Sequence, residues 1–218
     1  MKELSIDFAV ERLHMVERQL KARGIHDRRV LQAMLEIPRE EFLPAGVRQF
    51  CYVDEPVSIG FGQTISQPYI TALMSQCLEL CGTETVLEVG GGSGYHAAVL
   101  GALAARVYSI ELIPELAEQA RGNLERAGRA ANVVTICGDG SLGCPEHAPF
   151  DAISVAAAAP DLPRSLLDQL KDPGRLVVPI GSLMDQELRV MTKSAGHLAS
   201  RNAAFCRFVP LRGGEGWQ

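Results

Sequence analysis

Thr85-Val-Leu-Glu-Val-Gly-Gly-Gly-Ser-Gly-Tyr95 decides the fold. A short β-branched run meets a glycine cluster at 90–94, and a helical pattern opens at Tyr95. A strand, a glycine loop and a helix in direct succession bring backbone N–H groups up against a ligand, because no Cβ stands in the way. Outward from this unit, short apolar runs alternate with helical stretches. Strands are expected at 106–110, 132–137, 151–155 and 175–179, with a final pair at 187–192 and 205–209. Helices are expected at 95–104 and 114–127, and a short one closes at 166–170. Pro114 suits a first helical turn, where its missing N–H is harmless. Alternation of this kind predicts an α/β fold: a doubly wound, mainly parallel seven-stranded sheet covered on both faces. Ligands of such sheets bind at the C-terminal ends of the strands, where the strand order reverses.

Upstream of the core, residues 1–56 read as a helical extension to a core at 57–218, the whole forming one domain. Ala9, Leu13, Val16 and Leu20 recur at helical spacing and Gly24 is a stop. Asp27 is placed to cap a second helix carrying Val30, Leu31, Met34 and Leu35, which ends near Pro38. The N-terminus carries Lys2, Glu3, Asp7, Glu11 and Arg12, so no secretory signal is expected there. No apolar stretch approaches the roughly 20 residues of a membrane span. Lys and Arg total 21 against 26 Asp and Glu, a net charge of −5, which argues against a generic nucleic-acid or anionic-membrane binder. Six scattered cysteines in a chain this large predict free thiols and a cytoplasmic protein. Cys77 and Cys81 are spaced to share a helix face, but no second ligand pair accompanies them, and no metal site is expected.

The glycines fall as G-x-G-x-G at Gly90, Gly92 and Gly94, with Gly91 between them. The dinucleotide fingerprint needs a glycine where this chain has Tyr95, which counts against a nicotinamide-dependent oxidoreductase, and the Walker Gly-Lys-Ser/Thr is missing. The spacing resembles the cofactor loop of S-adenosylmethionine-dependent methyltransferases. Glu111, about 20 residues beyond the loop, is suited to accept from both ribose hydroxyls; a charge favoured at a helix N-terminus is the plainer reading. Asp139, in Gly138-Asp139-Gly140, is suited to the adenine amino group or simply to a turn. Glu88 would sit near the cofactor's amino-acid end, as an attractor of its ammonium group or as a satisfied buried carboxylate. The expected cofactor set is therefore Glu88, Gly90, Gly91, Gly92, Gly94, Tyr95, Glu111, Asp139 and Gly140.

Ile59-Gly-Phe-Gly-Gln-Thr-Ile-Ser-Gln-Pro-Tyr69 closely resembles the segment before the cofactor loop in protein-L-isoaspartate O-methyltransferases. So do Met15-Val-Glu-Arg-Gln-Leu20, Val86-Leu-Glu-Val-Gly-Gly-Gly-Ser-Gly-Tyr95, Pro145-Glu-His-Ala-Pro-Phe-Asp-Ala152 and Arg207-Phe-Val-Pro-Leu211, in the family's order along nearly the whole chain. The resemblance implies a Rossmann-like repair enzyme. Such an enzyme uses S-adenosylmethionine, releases S-adenosylhomocysteine and methylates the free α-carboxylate of L-isoaspartyl residues in damaged proteins and peptides. It implies a monomer with no nucleic-acid or membrane partner. The nearest alternative is a methyltransferase with the same cofactor and another carboxylate or small-molecule acceptor.

That chemistry needs no general base, because a carboxylate with a reference pKa near 3–4 is already ionised. What remains is alignment and exclusion of water. Ser66 is the expected catalytic residue, its hydroxyl holding one carboxylate oxygen; it also has the character of an N-cap for the helix at Pro68. The resemblance assigns substrate contacts to Thr64, Ile65 and Gln67. It further implies that Phe208, Val209 and Leu211 pair with substrate main chain, where an ordinary edge strand ended by Pro210 is the plainer reading. Four places depart from the family's usual pattern, one of them, Lys171-Asp-Pro-Gly-Arg175 where Pro-Gly-Gly-Arg is common, expected to affect only a turn. Gly91 stands where threonine is common and loosens the loop. Ala156 opens a run that often starts with threonine. His96 replaces a frequent glutamine and is expected to face solvent or pack.

Overall fold

The structure is a computed structural model describing residues 6–217, so Lys2 and Glu3 of the charged N-terminus lie outside the described residues. Asp7 caps α1 (Phe8–His14) by accepting from the Ala9 and Val10 N–H groups. The helix then widens into a π-helical turn, Met15–Leu20, and tightens into a 3-10 turn, Lys21–Arg23, before Gly24 stops it at φ +89°. The burial also departs from the expected stripe. Ala9 and Leu13 remain exposed while Met15, Val16 and Leu20 are buried, so only the part of the stripe from the π-helical turn onward joins the core. Asp27 caps α2 (Arg28–Glu36) through the Arg29 and Val30 N–H groups, and the helix ends ahead of Pro38 as expected.

A two-stranded hairpin follows, β1 (Val57–Gly60) and β2 (Gln63–Ile65). Its tip, Gly60-Phe61-Gly62, has three successive positive φ angles of +93°, +53° and +71°, which glycine tolerates on either side of the exposed Phe61 ring. The chain then enters α3 (Pro68–Cys77), β3 (Thr85–Val89), α4 (Tyr95–Leu103), β4 (Arg106–Glu111), α5 (Pro114–Arg126), β5 (Val133–Cys137), β6 (Phe150–Val155), α6 (Arg164–Asp168), β7 (Leu170–Gly181), β8 (Gln186–Ser194) and β9 (His197–Cys206). The main sheet has seven strands in the order β5-β4-β3-β6-β7-β8-β9. Pairings from β5 through β7 are parallel, and β8 and β9 add antiparallel.

Strand alternation divides the apolar residues between two cores, as the two-residue period requires. Val86, Val107, Ala152 and Val177 face a cluster built with the N-terminal helices, α3 and α4. Leu87, Val89, Ile153 and Leu176 face a second one with Leu166 and Leu211. The order reverses between β3 and β6, and there the Ala156 N–H donates to the Val89 carbonyl at 2.8 Å.

Several expectations shift. Helix α6 ends at Asp168, and Leu170 already belongs to β7, where it pairs with Phe150. Strand β9 ends at Cys206, so Phe208–Leu211 is not a ladder strand; it meets the body through an isolated bridge between Pro210 and Ala158. Pro210 lacks the N–H that a ladder needs. Cys77 is buried at the end of α3 and Cys81 is exposed beyond it, so they share no helix face. Among the described residues, no helix is long and apolar enough to cross a membrane, and no metal-binding cluster is found.

Candidate active site

The loop after β3 is tied to the end of β4. The Gly90 and Gly91 N–H groups both donate to the Ile110 carbonyl, and the Gly92 N–H donates to Glu111 Oε2 at 2.8 Å. Glu111 Oε1 accepts from the Ile113 N–H at 2.9 Å. The carboxylate is thus held by main chain on both sides, with lone pairs left over at the wall of a cavity of about 250 Å³. Gly90, Gly92, Glu111 and Gly140 form the strand-end wall of this cavity, Phe61 and Thr64 of the hairpin a second, and Val209 to Leu211 a third. Gly94 opens α4 at φ +85° with the Ala120 carbonyl 3.1 Å from where a Cβ would stand, so it serves backbone geometry and helix packing without lining the cavity.

Glu88 lies behind the loop and does not line this cavity. It is fully buried and accepts from the Ser109 hydroxyl at 2.5 Å, and its Oε1 has no hydrogen-bond partner among the described residues. His96 Nδ1 stands 3.4 Å from that oxygen, and His96 Nε2 is 3.2 Å from Ser75 Oγ, which donates to the Thr71 carbonyl. Burial pushes the Glu88 carboxyl up to about 8, with the Ser109 hydrogen bond opposing and Glu111 adding to the rise. Burial pushes His96 down to about 4. Both groups are therefore neutral near pH 7, the state that costs least without water. His96 packs internally, as one of its two expected placements had it. Gly91 shares this back wall: a Cβ there would lie 2.5 Å from Ser109 Oγ, so the space a threonine would need is taken by the serine.

Asp139 also turns from the cavity. Its Oδ1 accepts from the Ser141 N–H and hydroxyl, and its Oδ2 accepts from the Gly214 N–H at 2.8 Å. Burial raises the Asp139 pKa, but these hydrogen bonds outweigh it and hold the carboxyl below its usual range. The same C-terminal turn carries Glu215, whose carboxylate accepts from the Ser165 N–H and hydroxyl, and Trp217, whose Nε1 donates to the Ala158 carbonyl at 3.1 Å. The strap braces Phe208–Leu211 from behind. The Leu211 N–H donates to the Ala158 carbonyl, the Ala158 N–H to the Val209 carbonyl, and Gln186 satisfies both main-chain groups of Phe208. The Val209 N–H and the Pro210 carbonyl have no partner among the described residues.

Two smaller cavities adjoin this one. One, of about 30 Å³, is lined by Thr64, Ser66, Gln67, Phe208 and Val209; the other, of about 40 Å³, by Thr64, Ile65, Ser66, Gly91, Tyr95 and His96. Thr64 and Ala156 line all three. The structure therefore brings Thr64, Ile65, Ser66, Gln67, Phe208, Val209 and Leu211 to one junction with Gly90, Gly92 and Glu111. The expected helix cap is corrected. The N-cap of α3 is Gln67, and no side chain caps it. Pro68 at the first helical position sets the start one residue later than a Ser66 cap requires. The Ser66 hydroxyl has no hydrogen-bond partner among the described residues and is available at the junction. Its carbonyl is not free: it accepts from Arg39 Nη2 at 2.6 Å.

Arg39, Phe61, Glu215 and Trp217 escape the sequence reading, whereas Ala156 was singled out there only as a departure from the family's usual threonine. Arg39 sits between Pro38 and Glu40 and looks like any charged loop residue. Trp217, the one tryptophan, and the glycines at 213, 214 and 216 were the available signals for the strap.

Comparison with known proteins adds the family. The model of the family described as "Protein-L-isoaspartate(D-aspartate) O-methyltransferase (PCMT)" matches residues 11–216. Protein-L-isoaspartate O-methyltransferase 2 of Marinobacter nauticus is 53% identical over 213 residues, covering 97% of each chain. The Koribacter versatilis protein-L-isoaspartate O-methyltransferase is 51% identical over 210 residues, covering 96% of this chain and 94% of its own. A solved protein-L-isoaspartate O-methyltransferase superposes with a TM-score of 0.83 at 35% identity, covering 94% of this chain and 66% of that longer one. A Plasmodium falciparum structure described as a putative enzyme of the same name, in complex with S-adenosyl-L-homocysteine, gives 0.79 at 26% identity, covering 95% and 99%.

Proposed function

This chain belongs to the protein-L-isoaspartate(D-aspartate) O-methyltransferase family, and from that membership we propose that the cavity beside the glycine loop holds S-adenosylmethionine while the Ser66 junction receives an isoaspartyl carboxylate. The enzyme transfers a methyl group from that cofactor to isoaspartyl residues of damaged proteins and peptides. The residues fit the cofactor. Glu111 is an acceptor-only carboxylate suited to a vicinal diol, and Ile110, Leu112 and Ile113 give apolar walls for an adenosine. When bound, S-adenosylmethionine supplies a methyl group already activated on a sulfonium.

The chain's own residues then have three tasks. Ser66 donates to one oxygen of the acceptor carboxylate and leaves the other free; a neutral donor does this without quenching the nucleophile. Thr64 and Ala156, common to the three cavities, set the distance between the two reactants. Val209 N–H and the Pro210 carbonyl offer one donor and one acceptor to substrate main chain, which reads no side chain and accepts many sequences. No residue has to move a proton, because the acceptor is ionised and His96 is neutral and engaged with Ser75.

The observation that carries this reading is the unpartnered Ser66 hydroxyl at the junction of the cavities. The test is methyl-ester formation on paired isoaspartyl and aspartyl peptides, with methanol release followed because the ester is lost on cyclisation. Transfer to the isoaspartyl peptide alone is expected; equal transfer to both refutes it. The same proposal takes the chain as one domain with residues 1–56 as a helical extension, supported by the core that Met15, Val30 and Met34 share with Val86 and Leu100. It also takes a monomer acting in the cytoplasm, with the six free cysteines supporting a reducing compartment; size-exclusion chromatography tests the monomer.

A further inference from the structure

Arg39 is one of the largest fully buried side chains in the molecule, at 0% exposure, and among the described residues no carboxylate pairs with it. Its neighbour Glu40 is already taken, by Arg12 at 2.6 Å and by the Tyr52 hydroxyl. An unpaired buried cation is costly and needs compensating electrostatic contacts. Arg39 finds three. Its Nε donates to the Cys51 carbonyl at 2.6 Å, its Nη2 donates to the Ser66 carbonyl at 2.6 Å, and its guanidinium lies 4.8 Å from the centre of the Tyr95 ring. Nη1 is left without a partner. The Tyr95 ring is further fixed by an edge contact from Phe42, which sits in the same short turn as Arg39.

Tyr95 is the first residue of α4, directly after the glycine loop, and Ser66 is at the acceptor junction. We propose that Arg39 is a positioning residue for methyl transfer, anchoring the acceptor loop through the Ser66 carbonyl and the cofactor loop through the Tyr95 ring. One rigid fork then sets the spacing between the two reactants, and a planar guanidinium suits this where an ammonium would reach one partner at a time. The helical extension thereby contributes to chemistry as well as to folding. The inference rests on the reading of Ser66 as the acceptor's hydrogen-bond donor.

The test uses the full chain and the variants Arg39→Lys, Ser66→Ala and the double variant. For Arg39→Lys, assayed well below its melting temperature, kcat for an isoaspartyl peptide should fall about 10- to 100-fold. KM and S-adenosylhomocysteine affinity should stay within about threefold, since neither ligand loses a direct contact. The double variant should be no slower than Ser66→Ala, because the two residues act as a unit. A folded Arg39→Lys with kcat within about twofold of the parent overturns the proposal, as do fully multiplicative losses. Should Ser66→Ala itself leave kcat unchanged, the reading of Ser66 fails separately. If Arg39→Lys does not fold, the parent protein decides: with ¹⁵N-labelled arginine, one guanidinium should show slowed rotation and shift on adding isoaspartyl peptide to the S-adenosylhomocysteine complex. A guanidinium unmoved by peptide overturns the coupling.

Discussion

Glu111 and Gly92 are joined by a 2.8 Å hydrogen bond from the loop N–H to the carboxylate, across 19 residues of chain. The bond makes the glycine loop and the proposed ribose acceptor one object, and on that proposal cofactor affinity is expected to depend on both the charge and the fixed position of a single side chain.

Glu111→Gln keeps the volume but removes the charge, and it turns an amide NH₂ toward either the Gly92 or the Ile113 N–H. S-adenosylhomocysteine affinity should fall roughly 10- to 100-fold, about 1.4–2.8 kcal/mol. Titration calorimetry measures it, and an unchanged Kd removes Glu111 from the cofactor site.

Ser66→Ala separates two roles. Loss of an oriented donor should lower kcat about tenfold to a thousandfold, with cofactor affinity unchanged. The helix cap is Gln67, so the melting temperature should not move, whereas loss of a serine cap would cost about 1 kcal/mol. A variant that melts early yet turns over normally would restore the cap role and end the catalytic one.

Glu88 and His96 make opposite demands on pH. Folding raises Glu88 from 4.5 to about 8, so its contribution is complete below pH 4.5 and is lost as pH rises through 8. Folding lowers His96 from 6.5 to about 4, so its contribution is complete above pH 6.5 and is lost as pH falls through 4. Between pH 4.5 and 6.5 the folded and unfolded pairs bind the same number of protons and the two slopes cancel. Glu88→Gln, which imitates the protonated carboxyl, should therefore gain on the parent by about 2–5 kcal/mol as pH rises from 4.5 to 8. Urea midpoints for the two proteins across that range test this, and a constant difference would mean that Glu88 is ionised in the fold.

Glu215→Ala removes the acceptor for two Ser165 donors and releases the strap that braces Val209 to Leu211. Stability should drop by about 1–3 kcal/mol. KM for isoaspartyl peptide should rise more than Kd for S-adenosylhomocysteine, because the loosened wall is the one assigned to substrate. Equal changes in the two constants would confine the strap to general stability.

The strand, loop and carboxylate geometry on which the cofactor proposal rests was legible in the chain itself. Thr85–Val89, the glycines after it and Glu111 act through local geometry: an apolar strand, positive φ at Gly90, Gly92 and Gly94, and a carboxylate at the next strand's end. Short-range rules of this kind are written in residue type and spacing. The Gln-Thr-Ile-Ser-Gln-Pro block likewise pointed, through its resemblance to a family, to the junction where the cavities meet. Tertiary packing alone decided which side chains face the cavities. Glu88 turned back to Ser109, Asp139 gave its oxygens to Ser141 and a turn 75 residues away, and Arg39 reached 27 residues to the Ser66 carbonyl. Each of these depends on which long-range donors are left unpaired once the sheet and helices have closed, and no periodicity in the chain records that.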